Sequence, residues 1–161
     1  MKSSTPKVRT GTKSGHTLPI TGKKSHRDAH TGQAKVQKFI DQMLFSHTRA
    51  ERGISASVAR NAEKHGLTRD DIRMVIPDRT LERRLAAKEV LKLEEADGIA
   101  RLLRVVSHAR RTFGDNDLAA EWLRSPNPAL DEQIPIRMAR TDLGGREVEI
   151  ILGRIEHGIF S

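Results

Sequence analysis

The chain has 161 residues, with 29 Lys or Arg against 21 Asp or Glu and no cysteine. With 36% hydrophobic and only 3% aromatic residues, its core must be built from Leu, Ile, Val and Ala, enough for one or two small domains that often need a partner. Disulfide and thiol chemistry are excluded, no apolar run suits a membrane span, and no signal-peptide core follows the basic N-terminus, so the chain is expected in the cytoplasm.

The net charge of +8 is unevenly placed. Residues 1–34 hold seven Lys or Arg and one Asp, residues 35–113 hold 17 basic and 11 acidic groups, and residues 114–161 hold five basic and nine acidic. A basic front and an acidic back predict two different partners, with nucleic acid the natural one for the front.

Residues 1–34 are rich in Lys, Ser, Thr, Gly and His and nearly free of large apolar groups. They cannot bury enough surface to offset their ordering entropy, which predicts a disordered basic arm. It is either a solvated tail or an arm that adds nonspecific phosphate affinity. His26 and His30 are four apart but lack acidic or cysteine neighbours, so no metal site is expected there.

Val36, Phe39, Ile40, Met43 and Leu44 repeat as one face of an amphipathic helix, packed against the body or against a second copy. Ile54, Val58, Ala59 and Ala62 form the next helix, closed by His65-Gly66. Thr68 then caps a helix with Asp70 and Asp71 in its first turn. A tight turn at Ile76-Pro77 leads into a second helix over residues 78–85, where Leu81 and Leu85 face the core. Helix, turn and basic helix follow the arithmetic of a helix-turn-helix, and Arg79, Thr80, Arg83 and Arg84 lie off the apolar stripe. With Arg69 and Lys88 at the flanks, these are the candidate contacts to phosphates and base edges. Read without further context, an Arg-rich solvated face fits the same residues.

From Glu89 the apolar pattern lengthens through Val90, Leu91, Leu93, Ala96, Ile99, Leu102, Leu103, Val106, Ala109 and Phe113. A long helix is predicted from Glu94-Glu95 to Phe113-Gly114, broad enough in its apolar surface for homodimer packing, with Gly98 at a close contact. Gly114 stops that helix, Asp115 to Asp117 cap the next, and Leu118, Trp122 and Leu123 supply its apolar groups, Trp122 as a core anchor. Ser125-Pro126-Asn127-Pro128 breaks it, and Thr141-Asp142-Leu143-Gly144-Gly145 is a second predicted breaker. Val148, Ile151, Leu152 and Ile155 then mark a last helix, which Gly158 ends, leaving Ile159 and Phe160 exposed.

No phosphate loop, zinc-ligand spacing or nucleophile elbow occurs, and Asp70-Asp71 reads as first-turn helix charge. The chain is therefore expected not to be an enzyme and to need no cofactor or metal.

Phe113-Gly114, Ala119 or Ala120, Trp122-Leu123, Pro126-Asn127, Ala129-Leu130, Pro135, Thr141, Gly145, Val148 and Leu152-Gly153-Arg154-Ile155-Glu156-His157-Gly158 form a pattern. It resembles the toxin-binding domain of the Xre/MbcA/ParS-like antitoxins of bacterial type II toxin–antitoxin pairs. Ile76, Pro77, Arg79, Thr80, Leu81, Arg83 and Arg84 are similar to the Xre-type helix-turn-helix that precedes that domain. Asp131-Glu132 departs from the pattern, since the family often carries glycine there.

The resemblance implies an all-α fold in which a helix-turn-helix DNA-binding domain over residues 35–112 is joined by the long helix to a small helical toxin-binding domain over residues 113–161. It implies a homodimer within a larger toxin–antitoxin complex, which represses its own operon at operator DNA. The partner it implies is a cognate RES-like toxin acting on NAD, so that the chemistry belongs to the partner. Arg154, Glu156, His157, Gly158, Ile159, Phe160 and Ser161 are then the candidate toxin contacts, with Ile159-Phe160 as a plug. Two rivals stand beside this reading: a plain operator-binding regulator whose C-terminal module only dimerises, and an adaptor that no longer reads DNA.

Overall fold

The computed structural model describes residues 34–42 and 53–158. Residues 1–33 of the predicted 1–34 arm, with His26 and His30, lie outside them, as do Met43 and Leu44 of the first predicted stripe. Residues 34–42 form helix α1, which buries Val36 and Ile40 and stacks Phe39 on His65 with ring centroids 4.4 Å apart. The apolar face of α1 therefore packs against the body of its own chain.

Helix α2, Ser57–Ala62, runs into a single 3-10 turn, Glu63–His65, which Gly66 ends at φ 106°. Ile54, grouped with this helix by its pattern, precedes it in an extended segment. Its carbonyl accepts from the Leu91 amide at 2.7 Å, and Ser55 pairs with Val90 in an antiparallel bridge. Val90 and Leu91 are thus extended and not the run-up to a helix, because their backbone groups find partners across the chain.

Helix α3, Arg69–Arg73, starts at a capping box. The Thr68 hydroxyl accepts from the Asp71 amide at 3.2 Å, and the Asp71 carboxylate accepts from the Thr68 amide at 2.8 Å. Residues 74–77 turn the chain into helix α4, Asp78–Ala86, which buries Leu81 and half-buries Leu85 as its spacing predicts.

Helix α5, Leu93–Phe113, buries Ala96, Ile99, Leu102, Leu103, Val106 and Ala109 along the expected stripe. Gly98, Ala100, Val105 and Ser107 are buried too, because α5 has helices packed on more than one side. A Cβ on Gly98 would meet Val75 Cγ1 at 2.7 Å, which is the close contact expected there. Gly114 ends α5 at φ 65°.

Asp115 caps helix α6, Asn116–Arg124, by accepting from the amides of Asp117 and Leu118 at 2.7 and 2.9 Å. Ala119 and Leu123 are buried, and Trp122 is half-buried against Phe113 with ring centroids 5.7 Å apart. Leu118, expected in the apolar set, is 55% exposed, since its place in the first turn points away from α5.

The proline-rich break holds, with a 3-10 turn at Pro128–Leu130 and the short helix α7, Pro135–Met138, after it. Thr141 then caps helix α8, Asp142–Glu156, accepting from the Gly144 amide at 3.1 Å. The second predicted breaker is thereby corrected, because Gly144 and Gly145 lie inside the first turns of α8. They are there for closeness: a Cβ on Gly144 would sit 2.2 Å from the Met138 carbonyl oxygen, and one on Gly145 2.9 Å from Arg101 Cδ. Val148 and Leu152 of α8 close the core.

Among the described residues the fold is all-α, with α6 and α8 both packed along α5. None of these helices is long and apolar enough to cross a membrane.

Candidate functional site

The first candidate face is α4 with its flanks. Arg79 and Lys88 are exposed and have no ion-pair partner among the described residues. Arg83 is exposed, with Nη1 2.8 Å from Glu89, and Arg69 Nε lies 3.3 Å from Asp78. Arg69 and Arg73 together hold the Asp78 carboxyl below the usual carboxylate range. Thr80 is half-buried. Arg60, absent from the sequence-based set, joins this surface through a 2.9 Å pair with Glu82.

Arg84 requires a correction. Its side chain is only 7% exposed and forms an ion pair with Glu95 at the start of α5, with Glu89 at 3.9 Å. Position 84 is one turn from Leu81, so it follows Leu81 into the interior. It cannot reach phosphate or base edges from there.

A seam joins this face to the C-terminal helices. Asp71 is buried and, besides closing its capping box, accepts from Arg124 of α6. The pair borders a cleft of about 720 Å³ with Thr68, Arg73, Met74, Ile134 and Arg137 around it. Two arginines of α5 act as further ties. Arg101 donates to the carbonyls of Ala139 and Arg140 at 3.1 and 3.3 Å, and Arg110 donates to that of His65 at 2.9 Å.

At the far end of α8, Arg154, His157 and Gly158 are exposed, and Gly158 turns the chain at φ 66°. Glu156 is engaged already: its carboxylate lies 3.3 Å from His108 Nε2 and 3.5 Å from Arg111 Nε, both on α5. Burial, with Arg111 adding to it, keeps His108 below its ordinary value against the opposing pull of Glu156 and Glu149. Ile159, Phe160 and Ser161 lie outside the described residues.

The structure adds a surface that the sequence reading missed. Leu143 and Ile150 are 70% and 56% exposed. With Glu147 and Arg154 they form a stripe on the side of α8 opposite the buried Val148 and Leu152. A groove of about 410 Å³ runs beside it, lined among others by Leu130, Asp131, Met138, Glu147, Ile150 and Arg154. The spacing of Leu143 and Ile150, seven apart, was its only sequence signal.

Residues 108–158 match the family model described as the antitoxin Xre/MbcA/ParS C-terminal toxin-binding domain. An antitoxin Xre of Photorhabdus laumondii is 40% identical over 84 residues, 52% of this chain and 57% of that protein. One of Yersinia enterocolitica is 38% identical over 87 residues, covering 53% of this chain and 59% of that protein. A third, of Pseudomonas putida, is 28% identical over 135 residues, 80% of this chain and 85% of that protein. The chain thus spans less than two thirds of the first two relatives it matches. The helices from the end of α5 to Gly158 are the matched region, and over them the chain is similar to the toxin-binding domain of the Xre-type antitoxins.

Proposed function

We propose that the chain is a non-enzymatic antitoxin of a type II pair, which blocks a cognate toxin with its C-terminal helices and represses its own operon through α3 and α4. The observation that carries this reading is the match of residues 108–158 to a toxin-binding domain, on a module whose α8 presents an exposed Arg154 and an apolar stripe to solvent. The toxin is of the RES type, acting on NAD, and neutralisation is steric; the Ile159-Phe160 pair plugs the toxin's mouth. An aromatic anchor in a pocket suits that role. In the net-basic half of the chain, Arg69, Arg79, Arg83 and Lys88 are the operator contacts. Two copies place their α4 helices about 34–36 Å apart, one turn of DNA.

Co-expression with the toxin-like product of a neighbouring gene, followed by purification and an NAD-consumption assay, tests the proposal. The two proteins are expected to co-purify with NAD consumption suppressed, and failure on both counts overturns the reading. Deleting residues 159–161 should leave melting and operator binding intact while removing protection; full protection by the shortened chain sinks the plug.

A further inference from the structure

We infer that the groove along α8 is a docking surface for a basic segment of the toxin, an aliphatic or aromatic side chain with a Lys or Arg beside it. This rests on the antitoxin reading above and names the surface that reading leaves open. The floor of the groove is apolar, with Leu130, Met138 and Ile151 below and Ile150 56% exposed at its edge. Its rim carries Asp131 and Glu147, with Arg154 at one end, and none of these three side chains has an ion-pair partner among the described residues. Helices α3 and α4 are arranged differently, since their carboxylates, Asp70, Asp71, Asp78 and Glu82, are all paired with arginines. Unpaired carboxylates beside an apolar floor complement a partner that brings both a cation and a hydrophobic group.

Asp131 and Glu132 hold φ values of 52° and 58°, a region that glycine enters without strain and side chains enter at a cost. The turn is held from within the fold, since their amides donate to the carbonyls of Pro128 and Asn127 at 3.3 and 3.0 Å, while both side chains are exposed and make no hydrogen bond or ion pair among the described residues. Asp131 lines the groove with its carboxylate exposed, as does Glu147, and these two act as specificity determinants.

The test titrates the cognate toxin with the full chain and three variants: Ile150→Asp, the double reversal Asp131→Lys with Glu147→Lys, and the control Glu121→Lys at an exposed position of α6. Toxin affinity is expected to fall about ten-fold or more for the first two, the usual scale for a hot-spot position. The double reversal should also reverse the salt dependence, and the control should stay within about two-fold. Ile150→Asp and the double reversal binding as tightly as the unaltered chain overturns the groove alone. Absence of toxin binding by the unaltered chain overturns the antitoxin reading and the groove with it. Unchanged toxin affinity with a lost dimer in light scattering gives the groove to a second copy and overturns the assignment.

Discussion

Replacing Arg84 with Ala distinguishes a structural arginine from a DNA-reading one. The Arg84 and Glu95 side chains are 7% and 14% exposed, so the substitution strands a carboxylate that has little access to water. Removing one partner of a buried pair costs about 3–5 kcal/mol. Glu95 keeps the Lys92 amide at 2.8 Å, which favours the lower end, about 3 kcal/mol. Set against a total stability of about 5–15 kcal/mol, that is a large fraction. At about 2–4 °C per kcal/mol for a chain of this size, the melting temperature should fall by about 6–12 °C. Circular dichroism at increasing temperature reads the loss, and operator affinity measured well below the melt reads DNA binding. The combination Arg84→Met with Glu95→Gln should recover most of the stability, because it removes the charge and retains an acceptor for the Lys92 amide. A melt unchanged within about 2 °C, combined with lost operator affinity, would refute the burial argument and return Arg84 to the DNA face.

Glycines of α8 should respond in opposite directions in chemical unfolding. Gly144→Ala drives a methyl into the Met138 carbonyl and should destabilise by at least about 1–3 kcal/mol, whereas Gly153→Ala meets nothing within 4 Å and should stabilise by about 0.5–1 kcal/mol. At the DNA face, Arg79→Ala should weaken binding to all sequences and lower the salt slope by about one if it contacts a phosphate, or relax one position by about 1–3 kcal/mol if it reads a base; unchanged affinity and slope remove it from the interface. Burial holds both His65 and His108 below the ordinary imidazole value, aided by Arg110 and Lys64 at the first and Arg111 at the second. The unfolded chain therefore takes up protons first, and stability present above about pH 6.5 should decline as the pH falls through the lowered folded values. His108→Gln should flatten that decline, and melts with identical pH slopes in variant and parent would remove His108 as a cause.

Local chemistry made much of this chain legible from its sequence alone. Thr68, Asp115, Gly66 and Gly114 act within one turn of their own positions, where a hydroxyl, a carboxylate or a left-handed glycine meets its partner regardless of what lies further off. The α5 stripe was readable for the same reason, since helical periodicity shows which face must leave water. Tertiary structure decided the rest. Arg84 looked solvated until Glu95 was placed against it, and Val90 read as part of the apolar run leading to α5 until Ser55 crossed it. Gly144-Gly145 resembled a breaker because the sequence cannot show that Met138 and Arg101 crowd the start of α8. Leu143 sat in the predicted breaker and Ile150 in no predicted face until α8 formed and the core took Val148 and Leu152, which left the other side of the helix bare. Each of these depends on a neighbour from another element, and side-chain spacing along one helix carries no record of what the folded chain lays beside it.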